Sequence, residues 1–371
     1  SGDAGLKSYS VTYCENRSGK YYDRMSRLKR ALIPMFANPK GDEGFGADVD
    51  LTKYKIGLGR FLGSGGKIDS SVAALTLEHR KLLIDKIIAL QPETATPIAN
   101  AYAEAGAYML GTKTNASNSS YTSPMPNNPS QCDGYGVYFL TDGEPNGVSS
   151  ESNTRSLMNT SLVGGSRSIG SSCQSGLDST GTVYQGSNQG SPGWECIGEY
   201  ARALYSKDNV KKDNIATATV GFGNVYKKLK EKGTVPKVIT RPGKPPETVD
   251  VYQCDASGIS PDAKNLCKLG EKGQEHGEGG FYYTEEPQEI AASVKSFIEE
   301  VGSTEIDSIS TGTMSVPLDS LGGLESRQFA YLPILEPTPG SSQLWKGNLK
   351  KYKVRNSTLL GGDNNFVFSD N

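Results

Sequence analysis

Residues Gly136–Gly147 read Gly-Val-Tyr-Phe-Leu-Thr-Asp-Gly-Glu-Pro-Asn-Gly. Val137–Leu140 is a short apolar run with β-branched and aromatic character, the signature of a buried parallel strand. Thr141-Asp142-Gly143 follows at once, and Pro145 and Gly147 close a turn. Asp142 is thereby placed at the carboxyl end of a strand, where open α/β sheets hold their ligands. A buried carboxylate there needs a cation or hydrogen-bond donors to offset its desolvation. The structural alternative is an Asp that only caps the following turn.

The flanking sequence sets this strand in an alternating pattern. Arg24–Phe36 has helical spacing at Met25, Leu28, Leu32 and Met35. Tyr54–Leu62 and Gly66–Leu75 flank a Gly-rich turn and read as a hairpin. Leu75–Leu90 and Thr96–Leu110 read as helices, the second opening on Pro97. Insertions follow at 112–131 and 148–193, rich in Ser, Asn, Gly and Pro. Ile197–Tyr205 resumes as a helix, and Ile215–Phe222 is a second buried strand. A Lys/Pro/Gly-rich excursion spans 224–278, then Gly280–Thr284 is a strand and Pro287–Val301 a helix. Strands alternating with helices imply an α/β domain with a mostly parallel, doubly wound sheet. After Gly302, Thr311–Pro317, Gln328–Leu335 and Leu349–Val354 read as strands without intervening helices. The expected division is an α/β domain over 1–303 and the start of a β-rich domain over 304–371.

Composition narrows the function classes. The chain has 371 residues, with 39 basic and 41 acidic side chains and a net charge of -2. That balance, with no basic run, argues against nucleic acid as a partner. No apolar run reaches the roughly 20 residues of a membrane span, and no signal peptide is visible. The Ser-Gly-Asp start reads as that of a mature or cut fragment. The six cysteines are Cys14, Cys132, Cys173, Cys196, Cys254 and Cys267. No Cys-x-x-Cys pair occurs, so disulfides in an oxidising compartment fit better than zinc. Cys254–Cys267 and Cys173–Cys196 would each close one loop, and elimination leaves Cys14 with Cys132. Six cysteines allow about 15 pairings, and buried free thiols are the other option.

Three stretches in order resemble the amino-terminal part of the PilC/PilY family of type IV pilus tip-associated adhesins. They are Thr96-Pro97-Ile98-Ala99, Leu140–Asn146, and Leu344-Trp345-Lys346-Gly347-Asn348-Leu349-Lys350-Lys351-Tyr352. The order of elements likewise resembles a von Willebrand factor A (vWA) domain. The resemblance implies a vWA-type sheet and a metal-ion-dependent adhesion site. In such a site Thr96 belongs to the second ligand element and Asp142 to the third. It implies a divalent cation (magnesium, manganese or calcium), a host-cell or extracellular-matrix protein as ligand, and the minor pilins of the pilus tip as partners. It places the protein outside the cell, at the bacterial surface and pilus tip. The family's first element, Asp-x-Ser-x-Ser after an apolar first strand, has no counterpart here. Leu6-Lys7-Ser8-Tyr9-Ser10 has Leu in place of Asp, and Asp69-Ser70-Ser71 lies in the hairpin. Asp178-Ser179-Thr180 follows no strand. Either the first strand lies upstream or something else fills its place.

A hard cation takes oxygen ligands, which a Thr hydroxyl and an Asp carboxylate supply. With few anionic ligands of its own, the cation completes its shell with a partner's carboxylate. Thr96 has a structural alternative as helix N-cap before Pro97. Glu144 reads as a solvated turn residue, and Lys227–Lys232 as a solvated helix face. Catalytic constellations fail on inspection. Gly57–Gly63 misplaces the last Gly of a dinucleotide fingerprint, and Lys67 is followed by Ile68 where a P-loop needs Ser or Thr. Asp48–Lys53 has Lys where a calcium loop needs Gly. His79 and His276 stand apart from any nucleophile motif, and no Gly-x-Ser-x-Gly elbow occurs. The expectation is a non-enzymatic adhesin domain. The alternative is a force-bearing or assembly domain without a working metal site.

Overall fold

The Asp23 carboxylate accepts the Ser26 amide at 2.6 Å and starts helix α1 (Arg24–Ala37). The structure is a computed structural model. It describes residues 10–15, 22–41, 44–46, 50–63, 65–92, 96–117, 119–127, 133–141, 151–170, 173, 194–240, 246–274, 276–302, 309–310, 329–336, 346–355 and 358–360. Strands β1 (Lys55–Leu62) and β2 (Gly65–Ala74) form the expected antiparallel hairpin. Helix α2 (Leu77–Ala89) follows, capped by the Thr76 hydroxyl, which accepts the His79 amide. Two buried cations lock α1 to α2 by donating to carbonyls at helix ends that lack partners within the helix. Lys29 Nζ reaches Ile88 O at 2.8 Å, and Arg80 Nη1 reaches Phe36 O at 2.9 Å.

Helix α3 (Ile98–Leu110) leads to strand β3 (Tyr135–Thr141). Next come α4 (Glu151–Ser161), α5 (Trp194–Tyr205), β4 (Ile215–Phe222) and α6 (Lys227–Lys232). The chain continues through β5 (Thr234–Ile239), β6 (Glu247–Tyr252), α7 (Pro261–Gly270), β7 (Glu278–Thr284) and α8 (Pro287–Gly302). Strands β3, β4 and β7 form a parallel sheet in that order. The fold is therefore mixed α/β, with a parallel three-stranded sheet and eight helices among the described residues.

Helices cover both faces of the sheet. Helices α3, α5 and α7 pack on one face and α1, α2 and α8 on the other. The pleat divides β3 between them. Phe139 meets Tyr102 of α3 edge-on at 5.1 Å, while Tyr138 meets Phe297 of α8 at 5.8 Å. The hairpin also serves both faces. Phe61, Ile68 and Val72 join the α3 side, while Tyr54, Ile56 and Leu58 join the α1–α2 side. Phe61 lies 6.3 Å from Phe139, centroid to centroid, beside the outer edge of β3. Among the described residues, β3 is hydrogen-bonded to β4 alone.

Two stretches expected to be loops contain helices. In 148–193, α4 and the turn after it bring a stripe of Thr154, Met158, Ser161 and Leu162 inward. Half of that stripe is polar, so hydrophobic periodicity does not reveal it. Ser161 is satisfied by the Met158 carbonyl and the Tyr200 hydroxyl. In 224–278, the hairpin β5–β6 and helix α7 replace the expected excursion, and α7 packs directly on β4 and β7. The Ser260-Pro261-Asp262 start of α7 is a legible N-terminus, with Ser260 capping the Ala263 amide.

Two disulfides form as the loop spacing suggested, Cys173–Cys196 and Cys254–Cys267. The third pairing does not hold: the Cys14 thiol is free and exposed, and Cys132 lies outside the described residues. Cys14 is held beside α1, where its amide donates to Ser26 Oγ and its carbonyl accepts from Asp23. Disulfides persist in oxidising compartments. No helix of the described residues is long and apolar enough to cross a membrane.

The second unit, Thr304–Asn371, is described by itself. Strands β8 (Ile309–Ser310), β9 (Phe329–Glu336), β10 (Lys346–Arg355) and β11 (Thr358–Leu360) form an antiparallel sheet in the order β11-β10-β9-β8. The expected strand at 311–317 lies outside the described residues.

Gly106 offers a test of packing against propensity. A Cβ there would stand 2.0 Å from Tyr200 Oη. Gly→Ala inside a helix ordinarily stabilises by about 1 kcal/mol, whereas overpacking costs about 1–3 kcal/mol. Gly106→Ala should therefore lower stability in urea denaturation; a variant as stable as wild type refutes the close approach. Non-reducing peptide mapping should recover Cys173 joined to Cys196 and Cys254 joined to Cys267. Replacing the second pair by Ser should cost about 3 kcal/mol, as expected for a loop of that length.

Candidate functional site at the carboxyl edge of the sheet

Parallel register brings the carboxyl ends of the strands into line: Thr141 stands opposite Gly221, and Gly221 opposite Tyr283. The helices that connect β3 to β4 and β4 to β7, α5 and α7, lie on one face. The described sheet thus has no reversal between its own strands. Ligand crevices in open α/β sheets form outside the strands' carboxyl ends. Thr141, the last described residue of β3, is buried there. Asp142 is the next residue in the chain and lies outside the described residues, as does Glu144.

The other sequence-derived ligand, Thr96, is half-buried. Its carbonyl accepts the Ile98 amide at 2.9 Å. The N-cap of α3 is Pro97, and no side chain caps the helix. The capping alternative for Thr96 is therefore not realised, because Pro97 takes the cap position. The first turns of α3 lie against the carboxyl half of β3 through the Tyr102–Phe139 ring contact and face the hairpin turn through Ala101, close to Gly66. The donors Thr96 and Asp142 match a hard cation in type, being hydroxyl and carboxylate oxygens. Among the described residues no group of three or more His, Cys, Asp or Glu side chains is arranged to hold a metal ion.

The carboxyl ends of β4 and β7 are closed by a cluster that sequence reading missed. Arg27 of α1 lies over the Phe222 ring at 5.0 Å and donates Nη1 to the Glu285 carbonyl at 2.9 Å. Lys230 of α6 pairs with Glu289 at 3.1 Å and lies 5.2 Å from the Tyr283 ring centroid. The Glu289 carboxylate also accepts the Glu285 and Glu286 amides at 2.7 and 3.2 Å, closing the start of α8. Burial works against the ionised form of Glu289, but these amides and Lys230 hold its pKa below the usual value. Burial, then the charge of Glu285, pushes the Tyr283 phenol up. Glu289 two residues after Pro287 is a capping signal visible in sequence. The Arg27 and Lys230 contacts are long-range and leave no local signature.

The remaining sequence candidates fall elsewhere. A His79 ring nitrogen is hydrogen-bonded to the Ile56 carbonyl at 2.7 Å. His276 is buried against α5, with Nδ1 3.3 Å from the Gly198 carbonyl. Lys227–Lys232 forms α6, anchored by buried Leu229 with its lysines outward. No family model, curated protein or solved structure matches this chain.

The closed cluster has a defined pH dependence. A carboxyl whose pKa is lowered by folding contributes stability above its unfolded value, near 4.5 for Glu. That contribution disappears as pH falls through the lower folded value. Wild type should therefore melt above Glu289→Gln at neutral pH, and the two melting temperatures should converge in acid. A gap that stays constant into acid would show that Glu289 acts through packing rather than charge.

Proposed function

We propose that this chain is a vWA-type adhesin domain of a type IV pilus tip protein, displayed outside the cell. It binds a host-cell or matrix protein through a divalent cation held by Thr96 and Asp142. The observation that carries the reading is the parallel strand β3. It ends at Thr141, immediately before Asp142, at the carboxyl edge of the parallel sheet. The three motif stretches add the family, and the two disulfides agree with an oxidising environment. The chain's part in binding is to orient two oxygen donors. A bound cation supplies an electrophile for a partner carboxylate. Minor pilins of the tip are the proposed assembly partners. The chemistry is non-enzymatic, because no nucleophile–base motif occurs in the sequence.

A second reading, a force-bearing or assembly domain without a working metal site, is favoured by one observation: the missing Asp-x-Ser-x-Ser element. Calorimetric titration of magnesium, manganese and calcium separates the two. The adhesin reading expects saturable binding of at least one cation, abolished in Asp142→Ala and weakened in Thr96→Ala. No binding to wild type, or binding unchanged in Asp142→Ala, leaves the structural reading.

A further inference from the structure

Helices α1 and α8 do not close on each other along their full length. Between them lies a cleft of about 220 Å3, with Arg30, Ala31, Gly44, Gln288, Ala291 and Lys295 among its lining residues. Ala31 and Ala291 are buried and too small to fill the space. The cleft has cationic groups on both helices and no carboxylate among its lining residues.

The two cations are differently held. The Arg30 guanidinium lies 4.3 Å from the Tyr22 ring centroid and 5.7 Å from that of Tyr13. Stacking on a ring face fixes a guanidinium but leaves its in-plane N–H donors unspent. Lys295 is 39% exposed at its side chain, and its ion pair with Glu299 is long at 3.9 Å. Charge-assisted hydrogen bonds to carboxylates run at about 2.7–2.9 Å, so this ammonium is weakly compensated. A Cβ on Gly46 would come within 3.7 Å of Lys295 Nζ, so the absence of a side chain there leaves the amine approachable. Gln288 adds an exposed amide in the first turn of α8. Other charges on the two helices are engaged elsewhere. Glu289 meets Lys230 and the Glu285 and Glu286 amides, Lys29 meets Ile88 O, and Glu300 meets Lys272. Asp42 and Glu43 precede Gly44 in the chain and lie outside the described residues.

We infer that this cleft binds a small organic anion, a carboxylate-bearing molecule of monosaccharide size. Arg30 clamps the carboxylate through paired N–H donors, Lys295 adds a point charge, and the Gln288 amide meets a neighbouring hydroxyl. The inference does not depend on the divalent cation.

The test uses glucuronate as probe and glucose as uncharged control, titrated into the full chain at low salt and followed by NMR. Glucuronate should bind saturably in the millimolar range and glucose should not. Added sodium chloride should weaken binding, as screening requires. Arg30→Gln and Lys295→Gln should each lower affinity about tenfold or more, the loss of one charge-assisted contact. Both positions are solvent-accessible, so melting temperatures should hold. Ala292→Leu, at the exposed lip of the cleft, should block binding while leaving every charge in place. Equal binding of glucose, undiminished binding by the two Gln variants, or no binding to wild type overturns the site. If Asp42→Asn with Glu43→Gln binds where wild type does not, the cleft is closed by its own flanking carboxylates and the inference also fails.

Discussion

Tyr102 carries the contact on which the α/β unit depends. It is fully buried on α3, and its ring meets Phe139 of β3 and Tyr200 of α5 edge-on, each at 5.1 Å. Its hydroxyl is hydrogen-bonded to Thr217 of β4 at 2.6 Å. One side chain therefore joins two helices and two strands. Each ring pair is worth about 0.5–1.5 kcal/mol beyond the area it buries. Burial drives the phenol well above its usual pKa, so it stays neutral and shares a hydroxyl–hydroxyl hydrogen bond with Thr217. Gly106 lets α5 approach close enough for Tyr200 to reach both Tyr102 and the Ala103 carbonyl.

The opposite face is built on a different device. Phe297 of α8 presses into the layer where β3 and β7 carry Gly136 and Gly279. A Cβ at either would come 2.5 or 2.8 Å from its ring. α8 thus spans the sheet over the central β4, and its amino end arrives beside Glu285 and Thr284. That arrival forces the ionic cluster of Arg27, Lys230, Glu285 and Glu289 onto the carboxyl ends of β4 and β7. That stretch of the edge is thus filled by the protein's own side chains.

Sequence legibility followed the chemistry of burial. Strands β3 and β4 read as apolar runs because both of their faces are covered, and α1 read by its apolar spacing. Helix α4 did not, because Thr154 and Ser161 occupy buried positions that a hydrophobic pattern scores as surface. Helix α7 was missed despite the Ser260-Pro261 start, because the Lys- and Pro-rich segment ahead of it dominated the composition. At the candidate site, Thr141 and the strand leading to Asp142 were legible from a contiguous stretch. The closing cluster was not, since Arg27 and Glu285 meet across 258 positions of sequence.

The same reasoning explains why the carboxylates near the sheet differ in availability. Glu104 is buried on α3 yet holds down the first insertion. It accepts hydrogen bonds from Thr114, from Ser117 at 2.9 and 3.0 Å and from Tyr121 at 2.7 Å. Burial, then this carboxylate, pushes the Tyr121 phenol up to about 12. Glu289 is likewise saturated, by two amides and an ammonium. A carboxylate with its acceptor sites filled cannot serve as a metal ligand without losing those bonds, each worth about 1.5–3 kcal/mol to a charged group. The acidic residues the fold has already satisfied are thus removed from the candidate set on energetic grounds.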